Sequence, residues 1–282
     1  MTEGAVTEGH IVGAAYLPGM PHLLAEGSDA SPGWVELRRA VEEVGQRLAA
    51  AKPDVVLTLS TQWFTVLGHQ VQLDPNPTGH HVDENWYDYD FGHLDYDLPM
   101  DVELATAWAD EIDDAGLQAR RTRYEGFPID VGTIVARNLA DPDSRLPGAQ
   151  VSCNLYAPAE VMGQLASLGV RAAGAQGKRV ALVVVSGLSA GLIQQWITPE
   201  QDHILSPDHD RWNRRVLDLL VQGRGSDVMA VREAWAREAV ADSQGRGLAF
   251  LAGTGILDTP ADLLAYAPVW GTGGAVLHWG LP

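Results

Sequence analysis

The sequence predicts an α/β fold, a single domain with a mostly parallel central sheet covered by helices on both faces. Three observations point there. Residues 55–59 (Val-Val-Leu-Thr-Leu) and 180–185 (Val-Ala-Leu-Val-Val-Val) are short apolar runs of the kind that form strands covered on both sides. Amphipathic stretches of helical period alternate with them, which is the pattern of a parallel sheet with helical crossovers. The chain has 282 residues, 46% of them hydrophobic, enough to bury a substantial core. We read residues 1–282 as that one domain, with a flexible lead-in at 1–9.

Residues 11–17 (Ile-Val-Gly-Ala-Ala-Tyr-Leu) form the first predicted strand, and Pro18-Gly19-Met20-Pro21-His22 a sharp loop at its carboxyl end. His22 has two readings, a metal ligand or general base, or a surface loop histidine. A helix over 34–51 places Leu37, Val41, Val44 and Leu48 on one face. The strand at 55–59 is expected to stop at a polar tip, Ser60-Thr61-Gln62-Trp63, which puts Gln62 where open α/β sheets bind ligands. An amide there is a poor metal ligand and cannot act as a proton-transfer base. Residues 74–98 read as a long acidic and aromatic loop. His80, His81, Asp83, Glu84 and His93 are metal-capable, but their spacing matches no closed zinc or calcium pattern. The favoured reading is a subunit interface formed by His81, Trp86, Tyr87 and Tyr89, because exposed aromatics dominate protein–protein contacts.

A helix follows at 101–115, then a Gly/Pro-bounded loop at 126–133 that opens a short helix. A strand at 149–155 contains Cys153, read as core packing and not as a reactive thiol. A helix at 159–176 leads to the strand at 180–185, which ends in the polar tip Ser186-Gly187-Leu188-Ser189-Ala190-Gly191. We do not read a nucleophile elbow there. Helices over 207–223 and 227–241 precede a small-residue helical segment, 245–253, that carries Arg246. The tail reads as a Gly-rich turn and a last strand at 275–279. Gly271-x-Gly273 precedes a strand, not a helix, so a dinucleotide loop is a poor reading.

Composition excludes several function classes. The formal net charge of -18 repels phosphate, which argues against nucleic acid and anionic membrane surfaces. One cysteine permits no intramolecular disulfide and fits a reducing compartment. No apolar run reaches the roughly 18–20 residues of a membrane span, and the acidic start has no basic n-region of a signal peptide. A cytoplasmic location is expected.

Several stretches together carry a family resemblance: Ser60-Thr-Gln-Trp63, His81-Val-Asp-Glu-Asn-Trp-Tyr87, Gly126-Phe-Pro-Ile-Asp130, Val184-Val-Ser-Gly-Leu-Ser189, Trp212-Asn-Arg-Arg-Val-Leu217 and the Gly-rich tail. The chain resembles the class III extradiol ring-cleaving dioxygenases, the superfamily of the protocatechuate 4,5-dioxygenase catalytic subunit. Within it, the chain looks like the alpha-type subunits of 2-aminophenol 1,6-dioxygenases. The resemblance implies an Fe(II) site of two histidines and a glutamate in catalytic members. His22 matches the first histidine, Gln62 stands at the second, and Arg246 aligns with the glutamate to within a residue or two. An Asp-His-Gly motif reads Asp130-Val131-Gly132 here, and a Leu-Ser-His motif reads Leu188-Ser189-Ala190. His22 alone keeps the catalytic identity.

The degenerate pocket expected from the resemblance is thus His22, Gln62, Asp130, Val131, Ser189, Ala190 and Arg246. A guanidinium at about 4 Å from a divalent ion would repel it by roughly 8 kcal/mol at an effective dielectric near 20. The resemblance therefore implies no metal or other cofactor in this chain, with Fe(II) in a homologous catalytic beta subunit as partner, and self-association as a further option. Two alternatives stand beside it. One is a stand-alone pseudoenzyme that binds a small aromatic acid through Arg246. The other is a metalloenzyme with a relocated site at His80, His81, Asp83, Glu84 or His93.

Overall fold

A computed structural model describes residues 10–82 and 94–281. The strands are β1 (His10–Leu17), β2 (Val55–Thr65), β3 (His69–Gln72), β4 (Thr78–His80), β5 (Asp95–Asp97), β6 (Ala119–Thr122), β7 (Gly148–Asn154), β8 (Arg179–Val185), β9 (Asp262–Val269) and β10 (Thr272–Gly280). The helices are α1 (Pro32–Ala50), α2 (Val102–Asp114), α3 (Val131–Ala140), α4 (Ala159–Ala175), α5 (Pro207–Val221), α6 (Gly225–Glu238) and α7 (Arg246–Ala252).

Eight strands form one sheet in the order β6-β3-β7-β2-β8-β1-β10-β9. Its centre, β7-β2-β8-β1, is parallel, while β10 and β9 extend one side antiparallel and β3 joins β7 antiparallel on the other. The mostly parallel α/β architecture expected from the sequence is therefore present. Side chains alternate across the pleat. Val180, Leu182 and Val184 of β8 join Leu57 and Leu59 of β2 under α2 and α4–α7, while Ala181, Val183 and Val185 join Val56 under α1 and α3. The amphipathic faces supply the two covering layers, with Leu37, Val41 and Val44 on one side and Leu104, Trp108 and Ile112 on the other.

Two expectations change. Strand β2 does not stop at Leu59 but runs to Thr65. Ser60 pairs with Ser152 and Phe64 with Cys153, so β2 advances four residues while β7 advances one. Thr61, Gln62 and Trp63 are the surplus, bulging from the ladder at the level where β1 and β8 end. Extra residues of this kind bend a strand and redirect its side chains, and they recur beside functional sites. The tail is not a glycine turn before a short strand. Gly273 and Gly274 lie inside β10, and the turn is Trp270-Gly271, both at positive φ (51° and 89°), which suits a two-residue hairpin. Gly273 is required by crowding, since a Cβ there would lie 2.3 Å from Asn213 Nδ2.

The loop read over 74–98 is partly ordered as a ribbon, with His80 opposite Asp95 and Thr78 opposite Asp97. Trp86, Tyr87 and Tyr89 lie outside the described residues, as do Asp83, Glu84 and His93.

Candidate functional site

The parallel strands set the site. Leu17, Val185 and Ser60 lie side by side in register, so β1, β8 and the regular part of β2 reach the same level together. A cavity of about 530 Å³ opens just beyond it, lined by the loops after β1 and β8, the β2 bulge, the start of α3, the turn before α7 and the β9–β10 hairpin. That is the crevice where such sheets hold ligands. A wider groove of about 1400 Å³ between α4, α6 and α7 touches none of these strand ends. We place the site at the strand ends because convergent polar side chains, more than volume, mark a binding site.

Of the residues expected in the pocket, Gln62, Val131, Ser189 and Ala190 line this cavity. Gln62 donates from Nε2 to Gly19 O at 3.1 Å, and a Cβ on Gly132 would lie 2.8 Å from its Cδ. Its amide therefore fills the space between the β1 loop and the start of α3 and ties the two together. Asp130 sits behind the wall as the N-cap of α3. It accepts from Thr133 N at 2.9 Å and from Ser60 Oγ at 2.6 Å, which anchors the bulge to the helix. Ser189 Oγ accepts from Asn213 Nδ2 at 2.9 Å. Gly187-Leu188-Ser189-Ala190-Gly191 does have the Gly-x-Ser-x-Gly spacing. It lacks the architecture of a nucleophile elbow, because no helix follows directly and Ser189 is not in the positive-φ region.

His22 is not a surface histidine. It is fully buried in a 3₁₀ turn, with its ring 4.9 Å from Trp34 and 5.4 Å from Trp270, and it does not line the cavity. Burial lowers its pKa to about 3, so the imidazole is neutral. Arg246 also lies off the cavity. Its guanidinium donates to Ala157 O at 2.9 and 3.2 Å, to Ser243 O at 3.0 Å and to Gln244 Oε1 at 3.1 Å. Its donors are thus spent on the protein and are not aimed into the cavity.

Among the described residues, the charged side chain that does line the cavity is Asp242, which the sequence reading passed over. Its Oδ2 accepts from Gly187 N at 2.7 Å, Thr61 Oγ1 at 2.8 Å and Ser186 Oγ at 3.0 Å, so it joins the tips of β2 and β8. Tyr16 on β1 completes the network by donating to Gly187 O at 2.5 Å, and burial pushes its phenol pKa upward. The backbone around Asp242 is strained. Val240, Ser243 and Gln244 have φ of 49°, 44° and 58°, and Gly245 follows at 74°. Side-chain-bearing residues rarely hold this conformation unless their surroundings impose it, and they cluster at functional sites. Arg246 and Arg232 impose it here by donating to the carbonyls of Ser243 and Gln244. An Asp-Ser-x-Gly turn between two predicted helices was the available sequence signal.

Comparison with known proteins adds the lineage. A model of the catalytic LigB subunit of aromatic ring-opening dioxygenase matches residues 13–276. The chain belongs to this LigB family. It is 37% identical over 280 residues to the 2-aminophenol 1,6-dioxygenase alpha subunit of a Pseudomonas species, covering 96% of this chain and 99% of that one. It is 28% identical over 296 residues to the 2-aminophenol 1,6-dioxygenase beta subunit of a Pseudomonas species, covering 98% and 96%. The crystal structure of an uncharacterized protein from Escherichia coli K12 superposes with a TM-score of 0.65 at 16% identity, over 95% of this chain and all of that one, a likeness of fold.

The remaining expected residues are placed outside the cavity. His80 Nδ1 lies 2.7 Å from Asp95 Oδ1 on the exposed ribbon, and His81 Nδ1 donates to Ile129 O at 3.2 Å. Cys153 is buried in β7, and burial pushes its thiol up to about 12, far from a reactive thiolate. Among the described residues no helix is long and apolar enough to cross a membrane.

Proposed function

We propose that this chain is the non-catalytic, alpha-type subunit of a ring-cleaving extradiol dioxygenase that opens 2-aminophenol or a related aromatic ring. Its partner is a homologous beta-type subunit, which carries the Fe(II), and the pair works in the cytoplasm. The observation that carries this reading is the Gln62 amide lodged between Gly19 and Gly132.

A facial Fe(II) site needs imidazoles and a carboxylate converging on open positions. The residues present do not fit one. Gln62 offers a neutral amide already bonded to Gly19, His22 is packed between two indoles outside the cavity, and Oδ2 of Asp242 already accepts three hydrogen bonds. Val131 and Ala190 offer no proton carrier, so acid–base help worth about 10²–10⁴-fold is missing. The family membership and the two Pseudomonas subunits support the pairing with a related chain.

Neither alternative gains support. A ligand carboxylate would find Asp242 and not Arg246 among the described residues of the cavity, and of the relocated-site residues His80 and His81 have partners while Asp83, Glu84 and His93 lie outside the described residues. The test is to purify this chain alone, a beta-type homologue alone, and the two co-expressed. Iron content and oxygen uptake with 2-aminophenol are then measured for each. Co-purification with iron retained by the partner is expected. Stoichiometric iron and oxygen uptake in this chain alone would overturn the reading.

A further inference from the structure

We propose that the strand-end cavity is a binding site for a small organic ammonium ion, with Asp242 as its counter-ion. The inference concerns this chain's own cavity and does not depend on the pairing with a beta-type subunit.

Among the described residues lining the cavity, Asp242 is the one charged side chain, and no arginine, lysine or histidine stands beside it to offset that charge. The carboxylate is not left over from packing. Its Oδ2 is fixed by Gly187, Thr61 and Ser186, while among the described residues Oδ1 takes a contact only from the neighbouring Ser243 hydroxyl at 3.2 Å. A carboxylate has about four lone-pair sites, so Oδ1 keeps capacity for an N–H donor. The consecutive left-handed residues around Asp242, braced by two arginines, hold it at the cavity and not on the surface. Strain of this kind persists where the surrounding structure over-determines it.

The rest of the lining selects the body of the ligand. Met20, Val131, Leu192, Ile193 and Trp270 present apolar surface around the carboxylate. The volume, about 530 Å³, lies in the range of small-molecule sites. An apolar body with one cationic head matches this lining. A carboxylic acid would meet like charge, and a bare divalent ion would find one carboxylate where it needs several oxygen ligands. The net charge of -18 draws cations toward the chain as a whole.

The test is calorimetric titration of the full-length chain with benzylamine, benzyl alcohol and benzoate, three probes of similar shape and different charge. Benzylamine should bind saturably at one site, benzyl alcohol at least roughly tenfold more weakly, and benzoate least of all. Asp242→Asn should weaken benzylamine by roughly tenfold or more. Because Asp242 also joins the strand tips, a second variant leaves it untouched. Ala190→Leu narrows the mouth at an exposed position and should weaken benzylamine with no change in thermal midpoint. Benzoate binding as tightly as benzylamine, no saturable benzylamine binding up to about 10 mM, or unchanged affinity in folded Asp242→Asn or in Ala190→Leu would each overturn the proposal.

Discussion

Replacing Arg246 by methionine isolates the brace beneath the Asp242 turn. Methionine keeps much of the buried stem and removes the donors. Arg246 is 6% exposed, so its own guanidinium is largely shielded from water. The carbonyls of Ala157 and Ser243 lose their guanidinium partner together with the Gln244 amide oxygen. A buried acceptor left unpaired costs about 1–3 kcal/mol. Two carbonyls would give about 2–6 kcal/mol by that rule. Ala157 and Ser243 are only half-buried and Gln244 is exposed, so water recovers part of the loss. Removing the cation also relieves its own burial, which already lowers the Arg246 pKa. We expect a net loss of about 2–3 kcal/mol, or a midpoint about 4 °C lower for a chain of this length. Urea and thermal unfolding of the two proteins measure it. Arg246→Glu should be worse, because it turns a carboxylate toward the Ala157 carbonyl. A loss under about 0.5 kcal/mol for methionine, the range of ordinary surface changes, would refute the brace. So would iron binding by Gln62→His with Arg246→Glu, since that requires the side chain at position 246 to enter the cavity.

Three further outcomes are expected. Val240→Gly should stabilise the fold by about 1 kcal/mol in thermal unfolding, because Val240 is 52% exposed and holds a β-branched side chain at φ 49°. Gln62→Leu should cost about 1 kcal/mol in urea unfolding by removing the tie to Gly19 O, with the far-ultraviolet circular dichroism unchanged. His22 has a folded pKa of about 3, below its unfolded value near 6.5, so the unfolded chain binds the proton first. Its contribution is fully present above pH 6.5 and is lost as pH falls toward 3, about 2 kcal/mol by pH 5. His22→Phe should show a flatter stability profile between pH 7 and pH 5, and an unchanged slope would remove His22 as the cause.

The central strands were legible because β-branched and aliphatic runs such as 180–185 have few other places to go in an α/β domain than the middle of its sheet. The helices were legible through faces such as Leu37, Val41 and Val44. The outer strands were not. His69–Gln72 and Ala119–Thr122 are short and polar, and β9 contains Pro268, all features of sheet margins that resemble loops. At the site, Gln62, Ser189 and Ala190 could be located because they follow strand ends. Asp242 was harder to place, because the left-handed turn beside it leaves no periodic trace and the Asp-Ser-x-Gly spacing is its one sign in the sequence. Arg246 invited a role by alignment alone, while its helix turns it toward the β7–α4 connection.

The surplus of three residues in β2 also bears on how such a chain can change over time. Thr61, Gln62 and Trp63 contribute no rung to the β7 ladder, which resumes in register at Phe64. The side chain at position 62 is thus uncoupled from the pairing that builds the sheet. Substitutions there alter what the cavity recognises while the hydrogen-bonded scaffold on either side stays the same. The sheet can therefore carry many different side chains at this one point of the cavity wall.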